Sequence, residues 1–433
     1  MKNWNNFYGI LILIFGILAP SMMQSQEGTT SLTYNLIIEG FDWGPAVNKV
    51  VLDADTLITE ARAGDYSVIA NRSMTGVEFS SKEASGKRDV IYAYVSDENG
   101  IRKDQGKYVT LILYVGPDEV LGSPIKYVRT NNRGSNQWID YKLTITNTAN
   151  NTSWNEERKR IKPGIDIFDL SGRFTYNKDL TLSYASYTPE TNKEKSPLII
   201  WLHGGGEGGT DPSIPLIANL AANYASANIQ KYFNGAYILA PQSPTFWMQS
   251  ESGAYTRGNN NDIYNEALKS LIDEYVDTNP GIDTNRIYVG GCSNGGYMAL
   301  KLILLYPDYF AAGYISALAY QSQYISEQQI QLIKDVPIWF VHSADDRTTV
   351  PEETVLPLYE RLLSAGANDV HLSYYDHVTD ISGFYGGDGY HYNGHWSWIY
   401  SHANHAEFDF DGEPVKIQGR PVSIMEWMAA QKR

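Results

Sequence analysis

Gly291-Cys292-Ser293-Asn294-Gly295 follows an apolar, strand-like run (286–289) and opens a helix-like one (296–306). In a sharp strand-turn-helix, small residues two before and two after a serine let the chain bend. The Oγ then stands clear of the sheet at the positive end of the next helix. Ser293 is therefore a candidate nucleophile. The string alone is common, so its neighbours must decide whether it carries chemistry.

Two features fall where that chemistry requires them. An apolar run, 197–202, ends in His203-Gly204-Gly205-Gly206, a strand delivering a glycine loop whose backbone N–H groups can converge on one point. Acyl transfer needs two such donors for the tetrahedral intermediate, here from the loop Gly204 to Gly206 and from Asn294 after the nucleophile. Downstream, the run 336–341 ends in His342-Ser343-Ala344-Asp345-Asp346, which puts carboxylates at the mouth of another strand. A carboxylate there can hold a histidine in the correct tautomer and stabilise its protonated form. Asp346 is the choice for that role, with Asp345 its rival. Gly394-His395-Trp396-Ser397-Trp398 follows a long loop rich in glycine and tyrosine, and His395 is the candidate general acid and base.

The order serine, aspartate, histidine is that of the α/β-hydrolase triad. From about Asp166 onward the chain resembles that superfamily, and within it the secreted esterases that include polyhydroxybutyrate-depolymerase-like and feruloyl-esterase-like proteins. The resemblance rests on Leu202 to Gly206, Ala240-Pro241-Gln242, Gly291 to Gly295, the Asp346 region and the segment around His395. Upstream, Glu39-Gly40-Phe41-Asp42-Trp43-Gly44-Pro45 resembles the start of the immunoglobulin-like domain that precedes the catalytic domain in bacterial esterases of the EstA type. The resemblance implies a secreted serine esterase that needs no cofactor. It departs from the family at one place: three residues, not two, separate Asp346 from Val350-Pro351, which keeps Asp345 in contention.

Along the chain, short segments rich in Val, Ile, Thr and Tyr alternate with Gly, Asp and Asn over about 31–147. Strands at that spacing predict a β-sandwich. The polar, charged stretch 147–163 reads as a linker, and strand and helix patterns then alternate, predicting a mostly parallel sheet covered on both faces. The expected organisation is a signal peptide over 1–25, an Ig-like β-sandwich over 30–150 and an α/β-hydrolase domain over 151–433. The export signal is read from Lys2 and the apolar run 7–19, which is short for a bilayer span; no later stretch is long enough to cross a membrane. A secreted or periplasmic protein is expected.

The formal net charge of −15 argues against nucleic acid or an anionic membrane as partner, since such binding is driven by basic surface. The single cysteine, Cys292, rules out an internal disulfide and reads as a small apolar residue packed behind the elbow. His391, His395, His402 and His405 suggest a metal cluster at first sight, but the Asn393-Gly394 break and the lack of accompanying cysteines favour one catalytic and several surface histidines. No metal is expected. His203 reads as shaping its loop, and Asp409-Phe410-Asp411-Gly412 as a hairpin turn rather than a calcium loop.

Trp247 and Trp396, with Trp398, Tyr385 and Tyr390, are candidate walls for an aromatic or sugar-bearing substrate, and 376–394 a loop bordering the site. The expected substrate is a small ester or an ester-decorated polysaccharide, with acetyl and feruloyl groups among the possible acyl parts. A peptidase of the prolyl-oligopeptidase kind would share the triad, but nothing here resembles its propeller. A non-catalytic carbohydrate-binding protein is the other rival, and a complete candidate triad counts against it.

Overall fold

The first sheet is built from β1 (Leu32–Phe41), β2 (Gly44–Ile58), β3 (Tyr66–Ser73), β4 (Ser85–Arg88), β5 (Val90–Ser96) and β6 (Gly106–Leu113). A separate hairpin follows, β7 (Ile125–Arg129) and β8 (Gly134–Trp138), and then β9 (Asp140–Asn147) and β10 (Thr152–Ile161) complete the first sheet. These come from a computed structural model that describes residues 32–130, 133–191 and 193–433, so the expected signal peptide over 1–25 lies outside the described residues. The strand order is β4-β3-β9-β10-β1-β2-β6-β5. Alternate residues face one core: Tyr34, Leu36 and Ile38 on β1, Val109, Leu111 and Leu113 on β6, Tyr141, Leu143 and Ile145 on β9 are all buried. The sheet folds over on itself. Arg88, fully buried at the end of β4, donates to Val47 O (3.0 Å) on β2, to Tyr114 O (2.7 Å) beyond β6 and to the Tyr141 hydroxyl (2.8 Å), so a guanidinium fills carbonyls that closure brings together.

β10 corrects the expectation of a linker over 147–163 and moves the end of the first domain past 150. It runs parallel to β1, with Leu32 opposite Trp154 and Ile37 opposite Ile161, and antiparallel to the end of β9. Only Trp154 is buried on it, and its charged residues pair at the surface, Arg160 with Glu157 at 2.8 Å and Arg158 with Asn35 at 3.1 Å. The backbone ladder to β1 holds this strand, a contribution that side-chain polarity conceals.

The second sheet is β11 (Asp169–Tyr176), β12 (Leu180–Tyr187), β13 (Ser196–Leu202), β14 (Tyr237–Gln242), β15 (Ile282–Cys292), β16 (Ala312–Ser316), β17 (Ile338–Ser343) and β18 (Val370–Tyr375). Its order is β11-β12-β14-β13-β15-β16-β17-β18, with the first two pairings antiparallel and the rest parallel. Every residue of β13, β16 and β17 is buried, the signature of strands covered by helices on both faces. That is the α/β-hydrolase sheet, and the ends of β13, β15 and β17 deliver the glycine loop, Ser293 and Asp346. Among the described residues, no helix is long and apolar enough to cross a membrane.

A charged cluster ties the C-terminal segment to β18. His371 lies between Asp409 Oδ2, 2.6 Å from Nδ1, and Asp369 Oδ1, 3.0 Å from Nε2, while Trp427 Nε1 donates to Asp369 at 2.7 Å. Burial disfavours the imidazolium, but the two carboxylates outweigh it and push His371 up from 6.5 to about 9. A raised histidine stabilises the fold fully below its unfolded value and loses that contribution as pH climbs through the folded one. Thermal unfolding followed from pH 6.5 to 10 should therefore show a drop in the parent that is largely missing in His371→Asn.

Candidate active site

The elbow is built by close approach. A Cβ on Gly291 would lie 2.5 Å from the Gly295 carbonyl carbon, and one on Gly295 would lie 1.9 Å from Leu202 O, so both flanking positions admit only glycine where β15 turns against β13. Between them Ser293 adopts φ 53°, ψ −113°, a strained conformation that costs on the order of 1–3 kcal/mol. Its N–H is held by Ser316 O at 3.0 Å, and the helix Asn294–Leu305 begins at the next residue.

Ser293 from the end of β15, Asp346 from the end of β17 and His395 from a 3₁₀ turn (Gly394–Trp396) come together. His395 Nε2 is 2.9 Å from Ser293 Oγ and His395 Nδ1 is 2.8 Å from Asp346 Oδ2. Asp346 is 2% exposed, and its carboxylate is saturated with donors: Thr348 and Thr349 N–H on Oδ1 at 2.8 and 3.0 Å, and Thr349 Oγ1 on Oδ2 at 2.7 Å. His342 Nε2, 3.3 Å from Oδ2, donates chiefly to Thr349 O at 2.9 Å. Burial works to raise this carboxyl, but hydrogen bonds from His342, His395 and the Thr349 backbone hold it far below the usual carboxylate range. It remains ionised under all ordinary conditions. The extra residue before Val350 is absorbed by this turn, in which the aspartate caps its own loop.

Asp345 faces away from the His395 ring. Its Oδ1 accepts from Ser343 Oγ (2.8 Å), its Oδ2 lies 2.9 Å from His377 Nδ1, and it packs under Gly394, where a Cβ would stand 2.2 Å from Oδ1. Ser343 Oγ also reaches Gly394 O at 2.6 Å. Asp345 thus braces the loop that presents His395.

The glycine loop is oriented from behind. His203 is fully buried, and burial lowers it to about 4, so its ring is neutral. Its Nδ1 donates to Gly204 O at 2.6 Å, and its Nε2 accepts from Ser243 N–H at 3.1 Å. Drawing the Gly204 carbonyl inward turns the N–H of the same planar peptide, that of Gly205, toward the pocket. The Glu207 carboxylate lies beneath Gly204, where a Cβ would stand 2.9 Å from its Oε2. Gly205 and Asn294 remain close together: a Cβ on Gly205 would lie 3.8 Å from Asn294 Cβ. Among the described residues, neither N–H donates to a protein acceptor. Cys292 is buried beneath the elbow, where burial pushes its thiol well above the ordinary value.

These groups open into a pocket of ≈ 550 Å³ that contains Ser293, His395, Gly204 to Gly206 and Asn294. Trp396 and Trp398 line it, and Trp398 stands edge-on to His395 with ring centroids 5.4 Å apart. Trp247 does not: it is wholly buried against His203 (5.1 Å) and Tyr264, with Met248 and Tyr255 taking the wall beside it. Tyr385 and Tyr390 are also absent from the wall. Tyr385 instead meets Trp43 at 4.8 Å and donates to Val115 O at 3.0 Å, so the loop 376–394 is docked on the first domain. The other histidines have separate surroundings: His405 stacks on Tyr400 and His391 on His377, while His402, expected at the surface, is instead buried with its Nδ1 2.8 Å from the Tyr224 hydroxyl. Asp409 to Gly412 forms a tight turn closed by Asp409 N–H to Glu413 O, with the Asp409 carboxylate turned onto His371.

Several lining residues have no sequence signal. Trp43, Ile125, Tyr127 and Asn136 come from the first domain, whose β7–β8 hairpin lies over the glycine loop. Asn136 Nδ2 donates to Glu207 Oε1 at 2.9 Å, Trp138 Nε1 to Ser213 Oγ at 3.0 Å and Arg133 to Thr245 O at 2.6 Å. Thr349 is the one local miss that a rule would have found, since an aspartate commonly accepts backbone bonds two and three residues on.

Comparison with known proteins agrees with this architecture. Residues 33–158 match the family described as the esterase Ig-like N-terminal domain, and residues 186–380 match phospholipase/carboxylesterase. The chain is 27% identical over 181 residues to a probable carboxylesterase SOBER1-like of Arabidopsis thaliana, covering 38% of this chain and 66% of that protein. It is 27% identical over 133 residues to feruloyl esterase B of Neurospora crassa, covering 30% of this chain and 41% of that protein. The chain therefore spans less than two thirds of each curated relative. Its fold is that of a crystallised thermostable esterase, with TM-score 0.71 at 22% identity over 93% of this chain and 100% of the other.

Proposed function

We propose that this chain, an α/β-hydrolase that joins an esterase-type Ig-like domain to a phospholipase/carboxylesterase domain, is a serine carboxylesterase working through an acyl-enzyme. The observation that carries the reading is the continuous relay from Ser293 Oγ through His395 to Asp346, at 2.9 and 2.8 Å. His395 takes the serine proton as Oγ attacks the ester carbonyl, and the oxyanion is met by the N–H groups of Gly205 and Asn294 at the start of a helix. His395 then protonates the departing alcohol, and the same groups in reverse direct water onto the acyl-serine. Asp346 keeps the imidazole in the tautomer that leaves Nε2 free to accept, and stabilises it when charged. No cofactor enters this sequence.

The substrate reading is an ester with an aromatic acyl group or a sugar-bearing alcohol, such as a feruloyl or acetyl ester on a polysaccharide. Its support is the ring-rich wall of Trp43, Tyr127, Tyr255, Trp396 and Trp398, which suits flat or carbohydrate groups. The test is hydrolysis of p-nitrophenyl acetate, p-nitrophenyl butyrate and methyl ferulate by the parent. Turnover of all three with the highest kcat/KM on methyl ferulate is expected. Trp396→Ala should raise KM for methyl ferulate about tenfold while leaving p-nitrophenyl acetate within about threefold, since a stacked ring contributes roughly 0.5–1.5 kcal/mol. Equal changes on both esters would remove Trp396 from substrate recognition. Export is proposed from the basic-then-apolar start of the chain, Lys2 followed by 7–19. The mass of the protein recovered outside the cytoplasm, shortened by about 25 residues, would test it.

A further inference from the structure

Behind the glycine loop lies a carboxylate that the mechanism above leaves unused. Glu207 is 4% exposed, and a Cβ on Gly204 would stand 2.9 Å from its Oε2 and 3.4 Å from Cys292 Sγ. The carboxylate thus sits directly under the first glycine, beside the residue that precedes the nucleophile. Asn136 Nδ2 donates to its Oε1 at 2.9 Å, and the Glu207 backbone N–H donates to Gly204 O at 3.3 Å. Its own carbonyl is held by Gln242 Nε2 at 2.8 Å.

A carboxylate in such a place is costly. Burial pushes Glu207 up from 4.5 to about 7, and an apolar side chain of similar size would fill the space without that penalty. What an apolar side chain cannot do is accept from Asn136 Nδ2, the bond that ties this loop to the other domain. Glu207 N–H and His203 Nδ1 both donate to Gly204 O, at 3.3 and 2.6 Å, and the Glu207 carboxylate packs beneath the same glycine. Together they fix the plane of the Gly204–Gly205 peptide, which is what aims the Gly205 N–H into the pocket. Asn136, the residue that pins Glu207, belongs to β8 of the other domain.

We propose that Glu207 is a positioning residue for the oxyanion loop and that Asn136 of the Ig-like domain is its clamp, so that the first domain takes part in transition-state stabilisation. The inference rests on the esterase reading. It assigns the N-terminal domain a specific contact through which it acts, distinct from its contribution to the pocket wall.

The test is a cycle of Glu207→Gln, Asn136→Ala and the double variant in the full chain, assayed on p-nitrophenyl butyrate beside the parent and Ser293→Ala, with circular dichroism and thermal midpoints at pH 8. The amide introduced by Glu207→Gln puts an NH₂ where the carboxylate meets Asn136 or the underside of Gly204, and loosens the loop. Glu207→Gln should lower kcat roughly 10- to 30-fold with KM within about twofold, because a misaimed donor is felt in the transition state more than in the ground state. Asn136→Ala should lower kcat about fivefold, and the double variant should fall no further than Glu207→Gln, since both act through one contact. The thermal midpoint of Glu207→Gln at pH 8 should be no lower than the parent's, because a buried charge has been removed. The proposal is overturned if either single variant keeps the parent kcat, if the loss appears in KM, or if the double loss is the product of the two. Full activity in Ser293→Ala would instead sink the esterase reading itself.

Discussion

Replacing Ser293 by alanine should lower kcat for p-nitrophenyl butyrate on the order of 10⁵-fold, with the variant as well folded as the parent. The size follows from what is lost: without Oγ no acyl-enzyme forms, and the groups that remain assist only direct attack by water. Folding should survive, because the strain at φ 53° belongs to the backbone and Cβ, which alanine keeps, and the Ser293 N–H bond to Ser316 O is untouched. The residual rate reports the oxyanion loop and substrate binding, worth on the order of 10³-fold over water in comparable sites. Intact mass of the protein quenched during turnover provides an independent check. The parent should carry one acyl adduct mapping to the peptide that contains Ser293, and the variant none. Turnover by the variant equal to the parent's would remove Ser293 from the chemistry, whatever the geometry of its relay.

The parts legible in the sequence are those with short-range causes. The parallel strands β13 and β17 announce themselves because burial on both faces demands unbroken apolar runs, and Gly291 and Gly295 because two backbones meet there too closely for a Cβ. β10 escapes for the opposite reason: its side chains are charged and surface-paired, and the ladder to β1 that holds it involves a partner some 120 residues away, a separation no local pattern encodes. Trp247 and Trp396 look equally suited to line a pocket, yet one packs on His203 in the core and the other faces the site. Composition does not tell which way a ring turns. Glu207 and Asn136 are 71 residues apart and in different domains, so their bond has no signature before the domains are docked. The adjacent pair Asp345 and Asp346 presents the same difficulty at shortest range, since neighbouring side chains leave a strand end in opposite directions and either could have met the histidine.

The choice between those two aspartates makes the remaining large prediction. Asp346→Asn should cost about 10⁴-fold in kcat, and Asp345→Asn less than about tenfold. In the parent, Asp346 Oδ2 accepts from His395 Nδ1 at 2.8 Å, which keeps the proton on Nδ1 and leaves Nε2 to accept from Ser293 at 2.9 Å. The asparagine amide is already constrained: Thr348 and Thr349 N–H occupy Oδ1, so the retained oxygen must stay there and the new NH₂ must face the imidazole. An NH₂ facing Nδ1 forces the proton onto Nε2, and the ring then offers a donor where the serine needs a base. The Thr349 hydroxyl, which donates to Oδ2 at 2.7 Å, would turn its proton to Ala317 O, 3.2 Å away, and accept from that NH₂, so the new amide orientation is stabilised. Asp345 makes no such demand. Its oxygens face Ser343 Oγ and His377, and an amide there keeps one acceptor for the serine hydroxyl while weakening the brace under Gly394. The expected effect is a small fall in kcat as His395 becomes less well placed. Measured as full pH–rate profiles, Asp345→Asn should keep the parent's shape at slightly reduced height. Asp346→Asn should recover rate only at alkaline pH, where the serine proton can leave by another route. A larger loss in Asp345→Asn than in Asp346→Asn would reverse the assignment, and would mean that the loop carrying His395 closes differently around substrate.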